Sequence, residues 1–408
     1  MQPFAGRRLW FVGIGGAGMS ALALVAHAWG AEVGGSDRAR SSYVDRLEEA
    51  GISVAIGHDA ANVPEGAEVI VSSAIAADNP EVEVTRARGT RARMRAELLA
   101  ELVELRPSIV VAGAHGKTTT SAMVAFVLDR LGRDPAFLIG GEIPQLGGNA
   151  RAGAGWLVAE GDESDRSLEL LAPRVAVLTN VELDHHATFA SEAEVRELFE
   201  RWLERAPQRV LGDELEPVAF ELAVPGEHNR RNAATALATL ELADVPRTEA
   251  ERVLPEFTGA GRRFELRGEA AGVRVYDDYG HHPREVAATL SAARARANGG
   301  RVLVVFQPHL YSRTRHLAHD LARSLAAADA VAVTKVYAAR EEPLAGVEGS
   351  LVAQALAAER PGMAVAWTPE LEDAVRFLAR RARPGDLVLT IGAGDVERAG
   401  PLLLQELA

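Results

Sequence analysis

The sequence predicts an α/β fold of three units in series, each built on a largely parallel sheet. Three observations carry that prediction. Apolar runs of strand length recur along the chain, and glycine-containing turns lead from them into helix-patterned stretches, the alternation that parallel sheets require. The 408 residues suffice for two or three separate cores. Two seams divide the chain, one at Arg106-Pro107 after the polar helix RMRAELLAELVEL and one in VLPEFTGAGRR, residues 253–263. The expected domains are residues 1–106, 107–256 and 257–408.

Taken in order, the first domain opens on the strand RRLWFVGI, continues through the helix SALALVAHAWG and reaches a second strand, AEVIVSS. The middle domain begins with SIVVAGA, whose β-branched residues favour a strand apolar on both faces. The helix TTSAMVAFVLDRLG and the strands GWLVAE and RVAVLTN follow. In the last domain the strands are VRVYDD, RVLVVFQ, ADAVAVTKV and DLVLTIGA, with the helix REVAATLSAARARA after the first of them. There is no solenoid-type repeat and no low-complexity tail.

Composition narrows the function. A net charge of −13 and a pI near 5.4 argue against nucleic acid as the main partner. With no cysteine there are no disulfides and no thiolate zinc site. The N-terminus shows no cleavable signal, and no apolar run reaches the roughly 18 residues of a membrane span. The expectation is a cytoplasmic protein, monomer or homodimer, with no membrane insertion. Of 44 basic residues only Lys117 and Lys335 are lysines, so each invites a reason.

The first glycine loop holds Gly13, Gly15 and Gly18, with Asp37 placed 19 residues further on. This is the layout of a loop that cradles a pyrophosphate, with an acid for a ribose hydroxyl. It does not by itself distinguish a nicotinamide dinucleotide from another nucleoside diphosphate. A second loop, GAHGKTTT, runs from Gly113 to Gly116-Lys117-Thr118-Thr119 and into a helix. Glycines let backbone N–H groups converge on phosphates, the helix N-terminus adds its dipole, lysine supplies a compact charge, and Thr118 can reach Mg²⁺.

A nucleoside triphosphate brings magnesium, which takes oxygen ligands. Two acidic segments end strands downstream: EGDESD, with Glu160, Asp162, Glu163 and Asp165 at or just past a strand end, and NVELDHH, with Asn180, Glu182, Asp184, His185 and His186. The bland reading of either alone is an acidic solvated loop. In the third domain Arg262, Arg263 and Arg313 offer planar donor forks for phosphate or carboxylate. Asp277, Asp278, Tyr279, His281 and His282 cluster beyond a strand there.

In order along the whole chain, GIGGAGMS, GSD, GAHGKTTT, EGDESD, TNVELDHH, GEHNRRNA, GRRF, DDYGHHP and FQPHLYSRT make a pattern that resembles the Mur ligases. The resemblance implies a Rossmann-like UDP-binding domain, a central P-loop ATPase-like α/β domain and a C-terminal Rossmann-like domain for an amino acid. It implies that the first loop takes a UDP-sugar, with Gly15, Gly16, Gly18, Met19, Ser36, Asp37, Ser72, Ser73 and Ala74 at the matching positions. ATP and Mg²⁺ are the implied cofactors, and UDP-N-acetylmuramate and L-alanine the implied small-molecule partners. ATP would phosphorylate the muramoyl carboxylate, and the alanine amine would displace phosphate from the acyl phosphate.

Residue by residue, the resemblance gives ATP to Gly113, His115, Gly116, Lys117, Thr118, Thr119, His228, Asn229, Asn232, Arg263 and Asp277. It gives magnesium to Thr118, Glu160 and His185. The amino acid and reacting carboxyl group fall to Tyr279, His281, His282 and Arg313, and Lys117, Glu160, His185, His281 and Arg313 form the implied catalytic set. The only lysine of the middle domain is Lys117, which agrees with the alanine-adding branch, where no carbamylated lysine is used. The chain departs from the family pattern at Ala187, at Leu310 and in the short segment 205–226. A non-catalytic paralogue and a peptide-recycling relative are the alternative readings, with an oxidoreductase behind them.

Overall fold

The structure, a computed structural model, describes residues 2–72, 74–184, 188–339 and 341–408. It forms two compact units, Met1–Leu183 with Ser191–Thr258, and Asp184–Ala190 with Gly259–Ala408. The first unit holds two sheets and the second holds one.

The first sheet contains β1 (Arg8–Val12), β2 (Glu32–Asp37), β3 (Ser53–Ile56), β4 (Glu68–Val71) and β5 (Arg93–Met94) in the order β3-β2-β1-β4-β5, all parallel. Helices α1 (Ala17–Ala28), α2 (Ser42–Glu49), α3 (Pro80–Ala87) and α4 (Arg95–Glu104) accompany it. Strand β1 lies between β2 and β4, so the first glycine loop leaves the sheet where the strand order reverses, the usual ligand crevice of such sheets. Strand β2 was not among the expected strands because EVGGSD carries two glycines. They are there for packing: a Cβ at Gly35 would lie 2.4 Å from the Phe11 carbonyl oxygen, and one at Gly34 would lie 2.9 Å from the Trp10 ring.

The second sheet contains β6 (Ser108–Ala112), β7 (Ala136–Ile143), β8 (Gly148–Arg151), β9 (Leu157–Glu160), β10 (Val175–Leu178) and β11 (Gln208–Leu211), ordered β11-β10-β6-β9-β7-β8. Only the β7–β8 pair is antiparallel. Every residue of β6 is buried, as its continuous apolar run requires. Helix α5 (Lys117–Arg130) follows the second glycine loop, and α6 (Glu192–Leu203), α7 (Glu227–Leu242) and α8 (Arg247–Val253) complete this part. The expected seam at Arg106-Pro107 thus falls between two sheets of a single compact unit.

The third sheet contains β12 (Glu265–Ala270), β13 (Val273–Asp278), β14 (Val302–Phe306), β15 (Ala330–Val333), β16 (Ala364–Trp367) and β17 (Leu387–Ile391), ordered β12-β13-β17-β14-β15-β16. It is parallel except for the β12–β13 hairpin. Helix α9 (Pro283–Ala297) begins just past β13 and α10 (Tyr311–Leu325) just past β14. Among the described residues no helix is long and apolar enough to cross a membrane.

Candidate active site

The second glycine loop is built by steric necessity. Gly113 has φ +127°, and a Cβ there would lie 2.2 Å from Thr179 Oγ1. Gly116 caps α5 at φ +82°, and a Cβ would lie 2.5 Å from Asn232 Oδ1. The loop is clamped from the end of β10. Asn180 Nδ2 donates to the His115 carbonyl at 2.9 Å, the His115 N–H donates to Asn180 Oδ1 at 2.9 Å, and Thr179 Oγ1 donates to the same carbonyl at 2.6 Å. The His115 ring meets Glu182 at 3.1 Å.

Lys117, first residue of α5, donates to the Gly113 carbonyl and to Glu163 Oε1 at 3.0 Å. Burial pulls its pKa down, but Glu163, Asp162 and Glu160 outweigh burial and hold the ammonium form above the ordinary lysine range. Thr118 Oγ1 donates to Glu160 Oε2 at 3.2 Å, and the Gly140 N–H of β7 donates to Glu160 Oε1 at 2.6 Å. Thr118 and Glu160, the described part of the expected magnesium set, are therefore side by side. Thr119 lies buried in the same helical turn. His185, with Ala187, lies outside the described residues.

Helix α7 brings GEHNRRNA to this loop. Asn232 lies against Gly116 and donates to Asn229 Oδ1 at 3.4 Å; Asn229 donates to the Pro225 carbonyl at 2.7 Å. His228 lies over Gly226, where a Cβ would be 2.5 Å from its ring. So Gly113, His115, Gly116, Lys117, Thr118, Thr119, Glu160, Asn229 and Asn232 share one neighbourhood, with His228 in the first turn of α7.

The first loop is held by its own acid. The Gly15 N–H donates to Asp37 Oδ2 at 2.8 Å, and Ser41, the cap of α2, donates to the Gly15 carbonyl at 3.1 Å. Gly16 is exposed and precedes α1, and the Ala74 N–H donates to Ser72 Oγ at 3.2 Å. Ser73 lies outside the described residues. Two of the positions matched to the sugar nucleotide lie beneath the loop surface. Ser36 is fully buried and donates to the buried Glu81 at 2.5 Å, while its carbonyl accepts from the Gly13 and Ile14 N–H groups; it supports the loop from beneath. The Met19 side chain points into the core. At the far side of the loop Arg95 Nη1 would lie 3.2 Å from a Cβ on Gly18, and Arg95 Nη2 is 3.6 Å from Asp162. Burial raises the Asp162 pKa, but Ser164 and Arg95 together hold it below the usual carboxylate range.

In the second unit, Arg313 and Asp184 form a buried bidentate pair, Nε donating to Oδ1 at 2.9 Å and Nη2 to Oδ1 and Oδ2 at 2.8 and 2.9 Å. Arg313 Nη1 also meets His309 Nδ1 at 2.8 Å. His281 packs edge-on against both Tyr279 and His309. Burial, with Arg313 adding to it, lowers the His281 pKa to about 4, so the imidazole is neutral near pH 7. Burial raises Asp278 to about 6 despite Arg263 and the N–H of Gly280. His282 caps α9, its N–H donating to Glu285 at 3.3 Å. Arg263 lies over the Tyr279 ring and 3.6 Å from Glu285.

Asp277, matched to the nucleotide by the resemblance, is engaged within the protein. Its carboxylate is fully buried, accepting from Arg262 Nε at 2.8 Å and from the Thr390 hydroxyl. It anchors the GRRF turn, in which Arg262 and Phe264 have φ +57° and +54°. Leu310, at the family departure, is a buried cap of α10 at φ +66°.

The sequence named Glu163 and Asp184 only as members of acidic segments; their partners Lys117 and Arg313 lie 46 and 129 positions away, beyond any local signal.

A lysine-bearing strand-to-helix loop with carboxylates at neighbouring strand ends defines a phosphate-loop α/β nucleotide-binding protein. Three family models match in succession: residues 8–106 the catalytic domain of the Mur ligase family, residues 111–211 the Mur ligase middle domain, and residues 262–394 the glutamate ligase domain of Mur ligases. The chain is 44% identical to the UDP-N-acetylmuramate–L-alanine ligase of Kineococcus radiotolerans, covering 98% of this chain and 96% of that protein. It is 40% identical to the ligase of the same name from Thermobifida fusca, with the same coverage. The crystal structure of UDP-N-acetylmuramate-alanine ligase from Thermotoga maritima superposes with a TM-score of 0.83 at 27% identity, covering 98% of both chains. The chain belongs to the Mur ligase family. The Kineococcus alignment runs over 456 positions, so that relative has residues with no counterpart among these 408. The middle-domain match ends at residue 211, the last of β11.

Proposed function

We propose that this chain ligates L-alanine to the carboxylate of UDP-N-acetylmuramate with hydrolysis of ATP to ADP and phosphate, in peptidoglycan precursor synthesis. The observation that carries the reading is full-length identity of 40–44% to ligases of that name, in a chain whose Lys117, Thr118 and Glu160 meet at one loop. The domains are 1–106, 107–256 and 257–408, and the protein works in the cytoplasm on small molecules, as a monomer or homodimer.

In this reading the first loop holds the UDP diphosphate on its N–H groups. Lys117 neutralises the β- and γ-phosphates of ATP. A muramoyl carboxylate oxygen attacks the γ-phosphorus, ADP leaves, and the amine of L-alanine then attacks the acyl carbon and expels phosphate. Negative charge builds at each step, so positioned cations and N–H groups do most of the catalysis. Thr118 and Glu160 are oxygen donors side by side, a set suited to Mg²⁺, and we assign them with His185 as its holders. The ion supplies charge neutralisation at the phosphates. Tyr279, His281, His282 and Arg313 receive the amino acid. A neutral His281 offers the incoming amine a hydrogen-bond acceptor without adding a repelling cation.

The test is phosphate release from ATP, Mg²⁺ and UDP-N-acetylmuramate, with and without L-alanine, beside Lys117→Ala. Release that needs both substrates and disappears in the variant is expected. UDP-sugar binding without release would favour the non-catalytic reading, which the short segment after β11 motivates.

A further inference from the structure

In the first unit, hydrogen bonds and the backbone of β7 together link the two glycine-loop systems. Asn149, in β8, is fully buried, and its amide is used at both ends. Nδ2 donates to the carbonyl of Ala17, the first residue of α1 and a member of the first loop, at 3.0 Å. Oδ1 accepts from Arg46 Nη1 of α2 at 3.2 Å. The same Arg46 nitrogen donates to Glu142 of β7 at 2.6 Å, and Nη2 donates to the Gly147 carbonyl at 3.4 Å. Arg46 is seated by Gly148, where a Cβ would collide with its guanidinium. Two residues before Glu142, the Gly140 N–H fixes the Glu160 carboxylate that meets Thr118.

The β7–β8 hairpin therefore touches α1 through Asn149 and holds Glu160 through Gly140. A buried amide with both ends satisfied permits little slack, because losing either bond leaves an unpaired polar group inside the protein. We propose that Asn149, gripped by Arg46, is a positioning residue that couples occupancy of the first loop to the geometry of Glu160 at the second. The inference rests on the ligase reading for the identity of the two ligands. A carboxylate on one loop's ligand must meet a phosphorus on the other's, and tolerance for misplacement in such a step is well under an ångström.

Coupling between two loops is measurable as a ratio of affinities. In the full-length protein, calorimetry reads the affinity for a non-hydrolysable ATP analogue with Mg²⁺, with and without saturating UDP-N-acetylmuramate. The wild type is expected to gain about fivefold or more from the sugar nucleotide. Asn149→Ala brings that ratio to within about twofold of unity, with each ligand alone still bound at near wild-type affinity. Arg46→Gln, at a partly exposed position, does the same without opening a buried cavity and decides the matter if Asn149→Ala does not fold. Arg46→Lys, which keeps the cation toward Glu142, recovers part of the ratio. Undiminished coupling in either folded variant overturns the proposal, as does a wild type that binds both ligands independently. A wild type that binds neither ligand would instead overturn the ligase reading, and the proposal with it.

Discussion

The two glycine loops of the first unit occupy matching places, each leaving the end of a buried parallel strand and opening a helix, yet their chemistry differs. The first spends its acid on itself: Asp37 accepts from Gly15, and within the loop itself no residue is cationic. The second begins its helix with a half-buried cation set among three carboxylates. Their backbones differ too, since the residue capping α1 is Gly16 at φ −79° and the one capping α5 is Gly116 at φ +82°. A loop that only holds a diphosphate needs N–H groups. A loop where phosphate is transferred also needs charge in a dry place, where it is worth more than in water.

The comparison breaks most readily at Lys117. Lys117→Ala should lower phosphate release by about 10²–10³-fold or more, as loss of a transition-state donor does, and leave UDP-sugar affinity within about twofold. Equal losses in both would mean the loops are not chemically distinct. Next come the cap glycines. Gly116→Ala adds a Cβ in a left-handed conformation and against Asn232, a strain of about 1–3 kcal/mol, and should weaken ATP binding by about tenfold or more. Gly16→Ala has its nearest neighbour at 3.8 Å and should change affinity for either ligand little. Similar effects at both positions in a binding titration would erase the difference in backbone. Asp37→Ala should then weaken UDP-sugar binding by about tenfold, from loss of a charge-assisted hydrogen bond, with ATP affinity unchanged. A shift in ATP affinity of the same size would point to a role beyond the first loop.

A contrast in pH response sets Lys117 apart from the third sheet. Lys117 stays charged at neutral pH, whereas Asp278 and His281 are shifted in opposite senses, to about 6 and about 4. Asp278, raised on folding, contributes stability at pH below about 4 and loses it as pH rises through about 6. His281, lowered on folding, contributes above about pH 6.5 and loses it as pH falls toward 4. The two oppose each other across the same window. Asp278→Asn should therefore make stability climb more steeply between pH 4.5 and 6.5 than in the wild type, by on the order of 2 kcal/mol in urea unfolding. Parallel slopes would show that Asp278 does not titrate there.

Much of the fold could be read in advance because the central strands announce themselves. SIVVAGA, RVLVVFQ and DLVLTIGA are buried on both faces, and continuous apolar runs are what such strands must have. Four of the strands missed, β3, β5, β11 and β16, are short and lie at a sheet edge, where one face is less constrained. In the candidate site, Gly113, Gly116, Lys117, Thr118 and Glu160 were legible because phosphate chemistry restricts residue types at fixed spacing. The partners of Ser36 and Asp277 were not. Each is bonded to a residue far along or across the fold, Glu81 or Arg262, which no local pattern gives.

By itself the sequence determined the α/β alternation, the two glycine loops and the family, since all three are local patterns of glycine, charge and apolar spacing. Only the tertiary structure decided which carboxylate pairs with Lys117, which acid buries itself under Arg262, and that Asn149 bonds to Ala17, 132 positions away. Those choices depend on which buried donors and acceptors are brought within about 3 Å, and sequence spacing does not encode that distance.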